Sequence, residues 1–99
     1  MKQLLLSLVT IIFLQTSYSQ TEPILRVGLV ADPQYADNPV AGKRYYRESL
    51  WKLNEAIVTF NAKHVDFVQN LGDIIDKGWE NYDSIIPVYQ NLDPGIDNY

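Results

Sequence analysis

The stretch VDFVQNLGDIID, residues 65–76, is an apolar run that ends in a glycine and two acidic residues, Asp73 and Asp76. The stretch ILRVGLVADPQ, residues 24–34, has the same form and ends in Asp32. Apolar runs bounded by turn residues predict strands buried on both faces, here over 24–31 and 65–71. Ligand sites in open α/β sheets lie beyond the carboxyl ends of the strands. The two acidic clusters are therefore expected at one edge of one sheet.

One helix is predicted between these strands, from about residue 44 to residue 63. The segment before it, residues 32–43, is rich in Pro, Gly, Asn and Asp and is expected to be a loop. Steps of four and three residues predict an apolar stripe of Tyr46, Leu50, Leu53, Ile57 and Phe60. Strand, helix and strand in this length predict a right-handed βαβ unit with parallel strands.

A second helix is predicted from residue 79 to residue 92, with Pro87 kinking it or setting its start. Its apolar side is expected to hold Tyr82, Ile86 and Tyr89. Residues 93–95, Asp-Pro-Gly, would end it, and the last residues would only lead toward a third strand. The fold class is therefore α/β, with the element order βαβα.

Residues 1–19 have the form of a secretory signal peptide. Lys2 precedes the apolar run of residues 4–14, and Ser17 and Ser19 occupy the small-residue positions of a cleavage site before Gln20. A membrane anchor is the alternative, but a spanning helix needs roughly 20 apolar residues. We expect an exported chain, periplasmic or secreted, with no stable membrane anchor. Without cysteine, it has neither a disulfide framework nor a cysteine-linked lipid.

The charge balance limits the class of partner. The formal net charge of −4 argues against nucleic acid or an anionic membrane surface as the main partner. An acidic chain can still bind phosphates when bound cations reverse the local charge. The sequence has no internal repeat or linker, so it holds at most one domain or one piece of a domain.

Asp32, Gln34 and Asp73 are the candidate metal ligands. Hydrolysis of a phosphate ester or anhydride needs an activated water and neutralisation of the developing charge, which two cations about 3.5–4 Å apart supply. Hard divalent ions prefer oxygen donors, so Asp32 and Gln34 can serve one ion while Asp73 bridges both. Gly72, just before Asp73, allows a tight exit from the strand.

Each candidate also has a structural interpretation. Asp32 can terminate a strand and start a turn, Asp73 can cap a short helix, and Gln34 can simply be solvated. Asp76 is expected to stabilise its own loop. Weaker candidates are His64 as a ligand, Arg44 and Arg47 for substrate phosphates, and Tyr45, Trp51 and Trp79 for base stacking. A helix end, a solvated helix face and the core are the respective alternatives for these three groups.

Residues 27–92 resemble the calcineurin-like metallophosphoesterases, and within them the manganese-dependent ADP-ribose/CDP-alcohol diphosphatases. The superfamily usually opens with Asp-x-His, whereas this branch has Gln in the last place, as in Asp32-Pro33-Gln34. The resemblance is carried by DPQYAD at 32–37, RYYRESL at 44–50, VDFV at 65–68 and LGDIID at 71–76.

The resemblance implies a four-layer α/β/β/α sandwich, with residues 20–99 as its N-terminal part. It implies a divalent metal pair, Mn before Mg or Fe, with Asp32 and Gln34 on the first ion and Asp73 bridging. It also implies a small-molecule nucleotide diphosphate substrate, ADP-ribose-like or CDP-alcohol-like, cleaved at its phosphoanhydride bond. The family's next motif, Gly-Asn-His, supplies a ligand and a catalytic His, and it does not occur in this sequence.

We therefore expect a truncated copy of a longer enzyme, and this piece alone should hydrolyse nothing. A completing partner chain is one way in which the site could be filled out. Two other functions remain open. One is a non-catalytic βαβα module that binds a partner through an exposed sheet edge. The other is a phosphomonoesterase of the same fold.

The signal peptide can be tested directly. Export should give a chain whose intact mass corresponds to an N-terminus at Gln20. Leu8→Arg should block export, because a charge interrupts the apolar centre. Recovery of the unsubstituted chain with Met1 still attached, in the cytoplasm, would contradict the prediction.

Overall fold

A computed structural model of the protein describes residues 21–99. The predicted signal peptide and its cleavage site lie outside the described residues. The helices and strands are β1 (Val27–Val30), α1 (Glu48–Ala62), β2 (Phe67–Asn70), a 3₁₀ turn (Trp79–Asn81), α2 (Tyr82–Tyr89) and β3 (Asp97–Asn98). No helix in this part of the chain is long and apolar enough to cross a membrane.

The strands form one parallel sheet in the order β1-β2-β3. Val27 lies opposite Phe67 and Val30 opposite Asn70. This confirms the α/β class and the parallel pairing predicted for the first two strands. The expectation that the chain would only lead toward a third strand is wrong. The Tyr99 N–H donates to the Val68 carbonyl at 3.0 Å, and the Asn70 N–H donates to the Tyr99 carbonyl at 2.7 Å.

Burial of β1 differs from the prediction. Gly28 and Val30 are buried, whereas Val27 and Leu29 on the other face are exposed, Leu29 by 61%. Both helices pack on the same face of the sheet, and no described element covers the opposite face. A continuous apolar run therefore forms a strand buried on one face only. The strands are also shorter than predicted, with Ile24 and Leu25 exposed ahead of β1.

The core confirms the apolar stripe of α1. Leu53 and Ile57 are buried, Leu50 and Phe60 are half-buried, and Tyr46 is buried in the turn just before the helix. The four helical residues pack with Val30 and Val68 of the sheet and with Ile85 and Tyr89 of α2. A Cβ atom at Gly28 would lie 3.1 Å from the ring of Phe60, so this glycine permits the close approach of helix and strand.

The buried face of α2 also differs from the prediction. Ile85 is fully buried with Tyr89, whereas Ile86 is 44% exposed. Tyr82, Ile85 and Tyr89 follow steps of three and four, and Tyr82, Ile86 and Tyr89 follow steps of four and three, so periodicity alone does not separate the two faces. Packing on the sheet selects Ile85. Pro87 lies inside the helix and does not set its start.

The contribution of the α1–sheet contact can be measured. Ile57→Ala removes a fully buried side chain and should lower the free energy of unfolding by about 2–5 kcal/mol. The neighbouring Val58 is 59% exposed, so Val58→Ala should change it by no more than about 0.5 kcal/mol. Urea unfolding followed by circular dichroism measures both, and equal effects would contradict this packing.

Candidate metal centre

The loops that follow β1 and β2 run side by side because parallel pairing continues beyond the strands. The Leu71 N–H donates to the Val30 carbonyl at 2.9 Å, and the Gln34 N–H donates to the Asp73 carbonyl at 2.9 Å. Tyr35 then forms a parallel bridge with Ile75. Val30 opposite Asn70 and Tyr35 opposite Ile75 keep the same register, so the two loops are of equal length.

This pairing brings together the backbones that carry the three candidate ligands. Asp32 and Gln34 lie in the first loop, and Asp73 lies in the second. The Asp73 carbonyl accepts the hydrogen bond from the Gln34 N–H. The expectation that the two acidic clusters meet at one edge of the sheet agrees with this arrangement. Asp32 and Asp73 are exposed, and Gln34 is half-buried.

The same three residues have an unusual backbone conformation. Their φ angles are +49° for Asp32, +44° for Gln34 and +50° for Asp73, in the left-handed region that side chains other than glycine rarely adopt. Within residues 21–99 only one other non-glycine residue, His64, has a positive φ. Each such residue costs on the order of 1–3 kcal/mol, and residues of this kind concentrate at functional sites.

The side chains of these three residues make no polar contact within residues 21–99. Within residues 21–99, no hydrogen bond or ion pair involves the carboxylates of Asp32 or Asp73 or the amide of Gln34. The structural alternative for Asp73 is contradicted, because Ile74 and Ile75 form no helix for it to cap. The alternatives for Asp32, a strand end and turn, and for Gln34, a solvated loop residue, remain open.

Two carboxylates and an amide oxygen on two joined loops fit a hard divalent cation. Asp32, Gln34 and Asp73 are the residues that would hold it. No group of three or more His, Cys, Asp or Glu residues in the described part of the chain could hold a metal by itself. These residues therefore provide part of a coordination sphere, and their assignment as ligands stays a prediction.

Ion pairs fix the long loop between β1 and α1. The Asp76 carboxylate lies 3.2 Å from Nη1 of Arg44, and Asp37 lies 2.6 Å from Nε of Arg47. Tyr46 and Asp76 raise the pKa of Arg44. The Asp76 N–H also donates to the Tyr35 carbonyl at 2.9 Å, which agrees with the prediction that Asp76 stabilises its loop.

Asn81 is the residue that sequence reasoning missed. It is 7% exposed and is the only buried polar side chain among the described residues. Its Oδ1 accepts the Asp37 N–H at 2.9 Å, and its Nδ2 donates to the Gly78 carbonyl at 3.3 Å. It joins the loop after β1 to the start of α2. An Asn just before an apolar helix is a cap signature, which would have pointed to the position but not to this long-range contact.

A second polar contact fixes the end of β2. Oδ1 of Asn70 accepts the Tyr89 hydroxyl at 2.9 Å, and its Nδ2 donates to Oδ1 of Asn98 at 3.3 Å. Burial raises the pKa of Tyr89, which keeps the hydroxyl a donor. Asn70 therefore links α2 and β3 to the strand that leads into the second acidic loop.

The weaker candidates are spread over the fold, and two of them, Arg44 and Tyr45, line a cleft together with Asp32 and Gln34. His64 precedes β2 and is therefore at the opposite end of that strand from the acidic loops. The alternative that the aromatics belong to the core is wrong, because Tyr45 is 51%, Trp51 60% and Trp79 82% exposed. Trp79 stacks on Tyr82 with ring centroids 5.9 Å apart.

Two clefts meet at Asp32. The loop cleft, of about 180 Å³, is lined by residues 32–34, residues 43–46, Ser49 and Lys52. The strand cleft, of about 380 Å³, lies between β1 and α1 and is lined by residues 29–33, Ser49, residues 52–53 and Ala56. The candidate ligands Asp32 and Gln34 thus open onto a space with several cationic side chains.

The chain is similar to known proteins in both sequence and fold. A manganese-dependent ADP-ribose/CDP-alcohol diphosphatase of Oryza sativa subsp. japonica is 44% identical over 64 residues, covering 59% of this chain and 20% of the relative. One of the same name from Arabidopsis thaliana is 39% identical over 61 residues, covering 56% and 20%. No protein-family model matches the sequence.

Among solved structures, a dimetal phosphatase from Danio rerio superposes with a TM-score of 0.63 and 31% identity, over 79% of this chain and 28% of that protein. The resemblance to the diphosphatase branch is thereby confirmed for this part of the fold, and the sheet and helices match part of a dimetal phosphatase. The chain spans about a fifth of the length of the curated relatives it matches.

Metal binding can be tested on the purified chain. Asp73→Asn should weaken Mn²⁺ binding by about tenfold or more, the scale seen when metal sites lose supporting groups. Asn tolerates the left-handed backbone, so the loop is retained. Asp83→Asn removes the same charge from α2 and should leave the affinity unchanged. Loss of the free Mn²⁺ signal in electron paramagnetic resonance gives the affinity, and equal effects of the two substitutions would contradict the assignment.

Proposed function

We propose that this chain is the N-terminal, metal-binding part of a manganese-dependent phosphohydrolase that cleaves the phosphoanhydride bond of ADP-ribose-like or CDP-alcohol-like nucleotides. One observation carries the proposal. The three oxygen-donor residues at the carboxyl edge of the sheet have left-handed backbone and lie on two loops joined by backbone hydrogen bonds. The names of the relatives support the substrate class and the metal.

Each residue has a distinct part in this function. Asp32 and Gln34 would hold one cation, and Asp73 would be shared between two. When bound, the metal pair would activate water and neutralise charge on the phosphoryl oxygens. The protein's own contribution is positioning, because the paired loops hold the three donors before any ion binds. Oxygen donors suit Mg²⁺ as well as Mn²⁺, and manganese is supported by the names of the relatives.

The described residues place no histidine beside the candidate ligands to serve as general acid for the leaving group. His64, the single histidine of the sequence, lies at the far end of β2. Proton donation to the leaving nucleotide would therefore come from residues beyond this set. We infer that the chain alone hydrolyses nothing, and that further residues of a longer chain or of a completing partner chain provide the acid and the remaining ligands.

The exposed face of the sheet supports a larger assembly. Val27 and Leu29 of β1 are 37% and 61% exposed, and Leu25 and Leu71, which flank the strands, are 57% and 60% exposed. Apolar side chains on one face of a parallel sheet are normally covered, since sheets of this kind are buried on both faces. A second layer on this face, from the same chain or a partner, fits the sandwich that the resemblance implies. We also propose export after cleavage before Gln20.

The proposed function can be tested with a chimera. Residues 21–99 would replace the matching segment of the rice relative, which then supplies the rest of the enzyme. The chimera should release AMP from ADP-ribose in the presence of Mn²⁺, while the chain alone releases none. Asp73→Asn should lower kcat by about a hundredfold or more, the scale of losing a group that stabilises transition-state charge.

Controls separate the possible outcomes. Asp83→Asn in the chimera should leave kcat unchanged. Hydrolysis of p-nitrophenyl phosphate in preference to ADP-ribose and CDP-choline would favour the phosphomonoesterase alternative. A folded chimera that retains full activity with Asp73→Asn would contradict the proposal. Mn²⁺-dependent release of AMP by the chain alone would contradict the inference that the chain by itself is inactive.

A further inference from the structure

We infer that Lys52 is a positioning residue for the second phosphoryl group of a nucleoside diphosphate ester, the group that the metal ligands do not hold. This inference rests on the proposed function and adds a determinant of specificity to it. Lys52 lies on α1, outside the two acidic loops, and none of the sequence motifs includes it.

Lys52 lies beside both of the clefts that meet at Asp32. Lys52 lines both the loop cleft and the strand cleft, and Asp32, Pro33 and Ser49 are the other residues common to the two. It therefore lies at the junction of the clefts, on α1, whereas Asp32 lies on the loop after β1. A ligand bound to Asp32 and Gln34 in the loop cleft would share that cleft with Lys52.

The helix fixes this position. Ser49, Lys52 and Ala56 follow steps of three and four and so lie on one side of α1, facing the end of β1. Leu53, next to Lys52, is buried in the core and fixes the rotation of the helix. The small side chains of Ser49 and Ala56 leave room around the longer lysine. A cationic group on a packed helix is positioned more accurately than one on a loop.

Lys52 differs from the described arginines in having no carboxylate partner among residues 21–99. Among residues 21–99, Arg26, Arg44 and Arg47 form ion pairs with carboxylates, and the Lys77 ammonium lies 5.5 Å from the ring centroid of Tyr46. Lys52 forms no ion pair with any described carboxylate, although Glu48 lies four residues earlier on the same helix. Of the lysines left without such a partner, Lys43 and Lys52 line the loop cleft, and Lys63 does not.

The chemistry of the ligand follows from these charges. A nucleoside diphosphate ester has two adjacent phosphoryl groups, and only one can occupy the metal ligands. The other needs a cation within reach, and a lysine ammonium serves as a point charge for phosphate oxygens. A phosphomonoester has no second phosphoryl group, so Lys52 would favour diphosphates over monoesters. Lys43, on the loop that forms the other part of the cleft, would assist.

The test uses inorganic pyrophosphate and inorganic phosphate as probes of the purified chain. Titrations followed by ¹H–¹⁵N correlation spectra, without metal and with Mg²⁺, give dissociation constants and report folding in the same spectra. Lys52→Gln should raise the dissociation constant for pyrophosphate about three- to fivefold, the range expected for one exposed charge pair. It should change that for phosphate less. Lys52→Arg should retain pyrophosphate binding, and Lys63→Gln, which removes the same charge elsewhere, should leave it unchanged.

Several results would overturn the inference. They are no pyrophosphate binding by the unsubstituted chain, equal losses for Lys52→Gln and Lys63→Gln, or equal losses for pyrophosphate and phosphate. The metal site is judged separately by the Mn²⁺ affinity of Asp73→Asn. If that affinity responds while pyrophosphate binding ignores Lys52, the inference fails and the proposed function stands. If pyrophosphate binding depends on Lys52 while Mn²⁺ binding ignores Asp73, the proposed function fails and the anion contact stands.

Discussion

The site depends on backbone pairing between two loops that are far apart in sequence. The hydrogen bond from Gln34 to the Asp73 carbonyl and the bridge between Tyr35 and Ile75 extend the parallel register of β1 and β2 past the ends of the strands. Asp32, Gln34 and Asp73 can keep left-handed backbone only because the neighbouring residues are held on both sides. The ion pairs of the connecting loop and the buried Asn81 hold the same region from outside.

Much of this architecture could be predicted from the sequence, because it follows from periodicity. Leu53 and Ile57 recur at helical spacing and are buried, and both apolar runs form parallel strands. The meeting of the two acidic loops follows from the topology, since parallel strands end at the same edge. The sequence therefore predicts which two loops meet at the site.

The remaining features depend on packing and long-range contacts, which a local pattern does not encode. Helical spacing allows either Ile85 or Ile86 on the buried face, and only the sheet selects Ile85. The exposure of Leu29 depends on which elements cover the sheet, and the apolar composition of β1 does not indicate it. Asn81 is important through a contact with Asp37, 44 positions earlier in the chain. β3 has only two residues, too few to show a pattern.

Paramagnetic broadening by Mn²⁺ shows whether the paired loops form one metal site. Substoichiometric Mn²⁺ added to the ¹⁵N-labelled chain broadens the amide signals nearest to the bound ion. If the paired loops form one metal site, the amides of Asp32, Gln34, Tyr35 and residues 72–75 should broaden together and before all others. Broadening of only one loop would contradict a shared site. So would broadening that begins near His64 or in the Asp-Pro-Gly segment at residues 93–95.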